Sequence, residues 1–153
     1  MESQTSEMVS GFTARYATLK PRKGHIALPL LIMAALYATS SLPGTSTPDE
    51  PGVNLILLIG PLVQNGLHLP VYALLSWSLH WALLAWGYSS RRAAIGACAI
   101  ALAFGTLDEW HQSFVPGRLA SLTDIALNAA GAALGVWLGL RLERWRQEFL
   151  QKP

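Results

Sequence analysis

The sequence predicts an all-α membrane protein built as a bundle of four transmembrane helices. Hydrophobic residues make up 52% of the chain and charged residues only 13%, whereas a typical soluble domain is about 25% charged. The apolar residues are gathered into long runs, and a helix satisfies its own backbone polar groups within one such run in lipid. Since about 20 residues are needed for each span, the 153 residues hold four spans joined by short connections.

The predicted spans are separated by polar residues, glycine and proline. Their approximate bounds are Ile26–Leu42, Leu67–Gly87, Ala93–Leu107 and Leu119–Leu140. The segment Val53–Val63 is also apolar, but it is too short to cross a bilayer and contains Gly60 and Pro61. We therefore predict a short interfacial or re-entrant segment before the second span. The chain then divides into a cytoplasmic N-terminal segment (1–25), a membrane domain (26–142) and a cytoplasmic C-terminal tail (143–153).

Basic residues are distributed unevenly around the spans. Of the 11 lysine and arginine residues, Arg118 alone falls on the side that carries Asp49 and Glu50. The others precede the first span, join the second span to the third, or follow the fourth. Because lysine and arginine are retained on the cytoplasmic side, we predict a multi-pass protein of the cytoplasmic (inner) membrane with both termini in the cytoplasm.

A polar stretch, Asp108–Arg118, lies between the third and fourth spans, and Asp124 and Asn128 follow it at the start of the fourth. Ionisable groups at membrane depth are costly to dehydrate and mark functional sites by default. Asp124 and Asn128 are four residues apart and share a helix face, and three polar residues of the second span share a face at i, i+3 and i+7. We predict one extracytoplasmic ligand-binding site formed by Asn65, His68, Tyr72, Asp108, Glu109, Gln112, Arg118, Asp124 and Asn128.

Several of these residues also have structural interpretations. Ser121 and Asp124 have the spacing of a capping box, and Asn128 suits an interhelical hydrogen bond. Arg118 follows a turn, which directs it towards an acid or a lipid phosphate, or makes it a structural clamp on the loop.

The acids and the histidine could supply chemistry as well as binding. His68, Glu109 and Asp124 are the candidate catalytic residues, as general acid and base or as ligands of a divalent cation. No HExxH, CxxC or G-x-S-x-G motif accompanies them, so no motif indicates a reaction or a metal. Asp108 and Glu109 cannot point the same way from one helix turn, and we expect one of them to face the headgroups. His80 has no charged companion in the sequence and is predicted to be structural.

Glycines recur at every fourth residue of the last span, at Gly131, Gly135 and Gly139. Such a stripe of small residues lets another helix approach closely. A helix of the same chain is the preferred partner, although the pattern also leaves open an oligomer formed through this face.

The order of the polar residues resembles the VanZ-like family, which is named for a teicoplanin-resistance protein. The resemblance rests on Asn65-x-x-His68-x-x-x-Tyr72, Asp108-Glu109-x-x-Gln112, Pro116-Gly117-Arg118 and Ser121-x-x-Asp124-x-x-x-Asn128-x-x-Gly131-x-x-x-Gly135. It departs from the family at Asn65, where relatives often carry an acid. It implies a small inner-membrane protein of the cell envelope, a role in glycopeptide resistance for the founding member, and no established biochemical activity for the family at large.

Three functions remain in competition. The first is recognition of an envelope lipid, a lipid-linked precursor or an antibiotic that targets one. The second is an enzyme, a hydrolase or transferase, acting on a lipid headgroup. The third is a structural or assembly subunit of an envelope complex. Nucleic-acid binding is not expected, because the basic residues flank spans and form no patch interleaved with aromatic residues.

Overall fold

The computed structural model describes residues 22–43, 60–118 and 120–151. Within these ranges, a 3₁₀ turn at Lys23–Ile26 leads into helix α1, Ala27–Ser40, and is followed by α2, Gly60–Ala85, α3, Ser90–Gln112, and α4, Leu122–Leu150. The part of the chain that the structure describes contains no strand. The predicted all-α, four-helix membrane bundle is confirmed.

Within the described residues, three helices are long and apolar enough to cross a membrane, with candidate spans Gly66–Ala85, Ser90–Gln112 and Leu122–Leu150. Helix α1 and its 3₁₀ turn form a shorter apolar helix, Gly24–Ser40. At 1.5 Å per residue, the 14 residues of α1 rise about 21 Å, which is less than the roughly 30 Å of a bilayer core.

The bundle is built around α2, which packs against each of the other three helices. Its buried apolar side chains meet small residues of the neighbouring helices, and the core consists of Tyr72, Leu75, Leu79, Ala97, Ala101 and Ala132. Alanines on α3 and α4 let the helix axes come close, while larger apolar side chains such as Ile95 and Trp137 are exposed on the outside. This distribution suits a bundle whose surroundings are apolar.

The glycines of α4 face α2 of the same chain. A Cβ atom at Gly131 would meet the backbone carbonyl of Leu69, and one at Gly135 would meet that of Ala73. The close approach of α2 and α4 therefore depends on glycine at positions 131 and 135. Because α2 occupies this face, an oligomer formed through it stays a prediction without structural support.

Two predicted boundaries differ from those observed. Residues 60–63 of the predicted interfacial segment form the first turn of α2, where the missing N–H of Pro61 costs nothing, and residues 53–59 lie outside the described residues. At the other end, α4 continues to Leu150, so the residues assigned to a C-terminal tail extend the last helix by about two turns.

Candidate functional site

Three side chains from three helices meet at one end of the bundle. His68 of α2, Glu109 of α3 and Asp124 of α4 each place one potential ligand atom within 4.8 Å of the others. We call these three residues the carboxylate cluster. They are the residues singled out as catalytic candidates from the sequence, and the helix packing brings all three together.

Asn128 holds the imidazole of the cluster. Its Oδ1 atom lies 2.8 Å from Nδ1 of His68. An amide oxygen can only accept a hydrogen bond, so Nδ1 carries the proton in the neutral ring and Nε2 keeps a free lone pair. Asn128 is 1% exposed. It follows Asp124 by one turn on the same face of α4, next to the cluster.

Glu109 supplies a hydrogen-bond acceptor at the N-terminus of α4. In a capping box, the side chain of Asp124 would accept the backbone N–H of Ser121. Here the N–H of Ser121 donates instead to Oε2 of Glu109 at 3.1 Å, while the Ser121 side chain accepts from the backbone N–H of Thr123. The N-terminus of α4 is thus capped without Asp124, whose carboxylate stays available to the cluster.

Four buried polar atoms at this end make no hydrogen bond with any residue that the structure describes. They are the Tyr72 hydroxyl, Oε1 of Glu109, Oδ1 of Asp124 and Nδ2 of Asn128. The side chains are between 0% and 8% exposed. Buried polar groups are normally paired, so an unpaired set of donors and acceptors around two carboxylates suits a ligand.

Gly105 of α3 allows the Tyr72 and Asn128 side chains to lie side by side. A Cβ atom at residue 105 would come within 2.9 Å of the Tyr72 ring and 3.0 Å of Nδ2 of Asn128. Sequence reasoning missed Gly105, because a single glycine in an apolar run carries no sign of what packs against it.

Asp108 is not part of the carboxylate cluster. Its Oδ1 accepts from the Ser40 hydroxyl at 2.6 Å, and its Oδ2 accepts from the Gln112 amide at 3.1 Å. Asp108 and Glu109 are both buried, at 5% and 1% exposure, so the expectation that one acid faces the headgroups is wrong. The reason is that α1 covers the side of α3 from which Asp108 projects. Ser40 was missed, since nothing in the sequence links the end of the first span to the third.

Arg118 reaches across to the end of α1. Its Nε donates to the backbone carbonyl of Leu42 at 3.2 Å and its Nη2 donates to that of Thr39 at 3.0 Å. These carbonyls belong to the C-terminal end of a helix, where cations and donors are favourable. Among the described residues, no lysine or arginine forms an ion pair with Glu109 or Asp124. A ligand-binding role for Arg118 stays a prediction.

The remaining predicted site residues occupy the same end of the bundle. Gln112 is buried and bound to Asp108, and the Tyr72 ring stacks with that of His68 at a centroid distance of 6.3 Å. Asn65 lies near the start of α2. The binding role assigned to these three residues stays a prediction.

A second histidine, His80, is buried at the opposite end of the bundle. Nε2 of His80 is 3.4 Å from Oε2 of Glu143, and the same oxygen accepts from the Ser90 hydroxyl at 2.7 Å. We call these three residues the His80 cluster. His80 was expected to have no charged companion, and Glu143 was missed because it lies 63 residues further along the chain, in what was predicted to be the tail.

These observations define a helical membrane protein in which two buried acids and an imidazole meet at one end of the bundle. A model of the VanZ/LLP1 family matches residues 7–143. The chain therefore belongs to the VanZ/LLP1 family, as the order of its polar residues indicated. No curated protein and no solved structure matches the chain.

Proposed function

We propose that the chain recognises the polar headgroup of an envelope lipid or a lipid-linked precursor at the carboxylate cluster. The observation that carries the proposal is the set of unpaired buried atoms there, with donors on Tyr72 and Asn128 and acceptors on Glu109 and Asp124. Hydroxyl, amine or phosphate groups of a headgroup would pair with these atoms. Polar atoms of this kind within a membrane bundle mark a binding site by default.

The apolar surroundings of the cluster suit a lipid better than a water-soluble ligand. Large hydrophobic side chains at the same end of the bundle are exposed, including Leu67, Leu107 and Leu122. Trp110 and Phe114 are also exposed and contact each other edge to face, as aromatic residues do at a membrane interface. A ligand with a polar head and a long apolar chain would satisfy both the buried polar atoms and this surface.

We infer that the cluster faces away from the cytoplasm, in the inner membrane. The support is the distribution of lysine and arginine along the sequence, in which Arg118 alone, among the residues that the structure describes, lies at the cluster end. Single cysteines at Ser113 and Ser89, both exposed, in a Cys98→Ser background test this. A membrane-impermeant thiol reagent applied to intact cells should label position 113 and leave position 89 unlabelled until the membrane is opened. The reverse pattern would move the site to the cytoplasm.

The binding proposal is tested by the lipids that copurify with the chain. Wild type, Glu109→Gln and Glu143→Gln are purified in mild detergent, and bound lipids are identified by mass spectrometry. We expect one lipid class to be enriched in wild type and in Glu143→Gln, and to be lost from Glu109→Gln. The same lipid profile in all three proteins would contradict the proposal.

A role in glycopeptide resistance follows from recognition of an envelope precursor that such antibiotics also target. The support for this role is membership of a family named for teicoplanin resistance. Expression of wild type in a susceptible host should raise the inhibitory concentration of teicoplanin, and Glu109→Gln should not. Equal susceptibility of cells with and without the wild-type chain would remove resistance from the proposed function.

A second candidate is an enzyme that hydrolyses or transfers a lipid headgroup. It is favoured by the approach of an imidazole and two carboxylates to within 4.8 Å, which is the composition of a general acid–base site. Turnover of extracted envelope lipids by the purified chain, lost in Glu109→Gln while the protein stays folded, would establish it. Binding without turnover would leave recognition alone.

A further inference from the structure

We propose that the carboxylate cluster binds one divalent transition-metal ion of the Zn²⁺ class. The ligands are Nε2 of His68, Oε1 of Glu109 and Oδ1 of Asp124. The proposal concerns the same end of the bundle as the proposed lipid site. It rests only on these side chains and on the groups that hold them, and not on the identity of any lipid.

The first argument is geometric: three potential ligand side chains, one from each of three helices, meet at one place. One potential ligand atom from each of the three side chains lies within 4.8 Å of the other two. Ligands of a tetrahedral zinc ion at about 2.1 Å from the metal are roughly 3.4 Å apart. The side chains therefore close by roughly 1.4 Å or less when the ion binds, a movement within the reach of side-chain rotation.

Charge is the second argument for a cation. Glu109 and Asp124 are 1% and 8% exposed, and Arg118, the one arginine at this end within the described part of the chain, donates to backbone carbonyls of residues 39 and 42. Two carboxylates without a cationic partner in an apolar bundle are costly. A divalent ion carries the charge that neutralises both, and it binds the carboxylate oxygens that have no hydrogen-bond partner.

The third argument is that hydrogen bonds orient two of the ligand side chains, as they do around bound metals. Asn128 accepts from Nδ1 of His68, which leaves Nε2 as the free nitrogen, and the Ser121 N–H donates to Oε2 of Glu109, which leaves Oε1. Metal-binding histidines and carboxylates are usually oriented by such bonds from their other atom. Asn128 and Ser121 are therefore positioning residues for the site.

The ligand set favours zinc-like ions over magnesium and calcium. Imidazole suits zinc and similar ions, whereas magnesium and calcium prefer oxygen ligands throughout. Three protein ligands leave a coordination position of a tetrahedral zinc ion open. A phosphate oxygen of a headgroup fits that position, with the Tyr72 hydroxyl and the Asn128 amide as unpaired donors at the same end.

Metal binding to the full-length chain tests the proposal. The protein is purified in detergent, freed of any histidine tag, stripped with a chelator and titrated with Zn²⁺, and bound metal is counted after gel filtration. We expect one Zn²⁺ per chain, a rise in Tm on binding, and no displacement by excess Mg²⁺. X-ray absorption of the zinc-loaded wild type should show one imidazole among oxygen ligands and no sulfur.

Variants test whether the carboxylate cluster, and no other part of the chain, binds the Zn²⁺ ion. Glu109→Gln and Asp124→Asn should weaken Zn²⁺ affinity at least about tenfold, and Asn128→Ala about 10- to 100-fold. Glu143→Gln, the matched change in the His80 cluster, should bind Zn²⁺ as the wild type does. Circular dichroism and gel filtration establish that each variant is folded, and the absorption spectrum of the wild type tests the ligand set without any variant.

Two results would overturn the proposal. One is substoichiometric zinc in the wild type, and the other is unchanged affinity in both Glu109→Gln and Asp124→Asn. The failure of the metal site is distinguishable from the failure of the lipid site. Lipid copurification is measured after chelation, whereas zinc binding is measured in delipidated protein.

Discussion

Both ends of the bundle place a histidine near a carboxylate, and the two ends differ in what surrounds that pair. In the His80 cluster, one histidine faces one acid, and the Ser90 hydroxyl donates to the same carboxylate oxygen. In the carboxylate cluster, one histidine faces two acids, and oxygens of both acids stay unpaired. Both clusters contain buried atoms with no hydrogen-bond partner among the described residues, including both ring nitrogens of His80, but the His80 cluster has only one acid for its histidine.

This difference is the reason that a binding role is proposed for the carboxylate cluster and a structural role for the His80 cluster. Burial alone does not distinguish them, because His80 and Glu109 are both 1% exposed. The number of acids facing each histidine does distinguish them, with one in the His80 cluster and two in the carboxylate cluster. A cationic or hydrogen-bonding ligand would satisfy the additional acid of the carboxylate cluster.

The largest effect is expected from breaking the helix contact that joins the two clusters. Gly135→Leu places a branched side chain against the Ala73 carbonyl and the Ser76 hydroxyl. We expect a loss of about 3 kcal/mol or more, a large part of a total of about 5–15 kcal/mol, and little folded protein in the membrane. Gly66→Leu is the control, because a Cβ atom there has nothing within 4 Å. Equal accumulation of both variants, measured by immunoblot and gel filtration, would contradict the described packing.

The second prediction compares the same substitution in the two clusters. Glu143→Gln should lower the free energy of unfolding by about 1–3 kcal/mol, because it removes a charged hydrogen-bond acceptor, and should leave lipid binding intact. Glu109→Gln should abolish lipid binding and leave the metal-free protein as stable as the wild type or more so, because it removes one of two unbalanced buried charges. Thermal denaturation and lipid copurification measure the two effects. Equal destabilisation and equal loss of binding in both variants would mean that the two clusters play the same structural role.

The smallest effect is expected at Arg118. Lysine cannot span the carbonyls of Thr39 and Leu42 as the guanidinium does, so Arg118→Lys should cost about 1 kcal/mol and Arg118→Ala somewhat more. If Arg118 also binds a ligand phosphate, Arg118→Lys should in addition weaken lipid binding, as Glu109→Gln does. Thermal denaturation alone would detect the structural role, and unchanged Tm in both variants would show that the contact with α1 is unimportant.

The sequence by itself determined the helical class, the approximate spans, the family resemblance and the end of the bundle at which the polar residues gather. These properties depend on local hydropathy and on the spacing of residues along one helix, both of which can be read from neighbouring positions. His68, Glu109 and Asp124 could be selected because their depth in the membrane follows from their place in each run.

Only the tertiary structure decided which of these residues meet. Glu109 accepts a hydrogen bond from the Ser121 N–H, so Asp124 is not used to cap α4. Asp108 accepts from Ser40 of α1, and Glu143 lies beside His80. Such contacts depend on how each helix is rotated about its axis and how closely it approaches its neighbours. The rotation is set by the packing of whole helix faces, including the glycines of α4 against α2. It cannot be read from the spacing of residues within one helix.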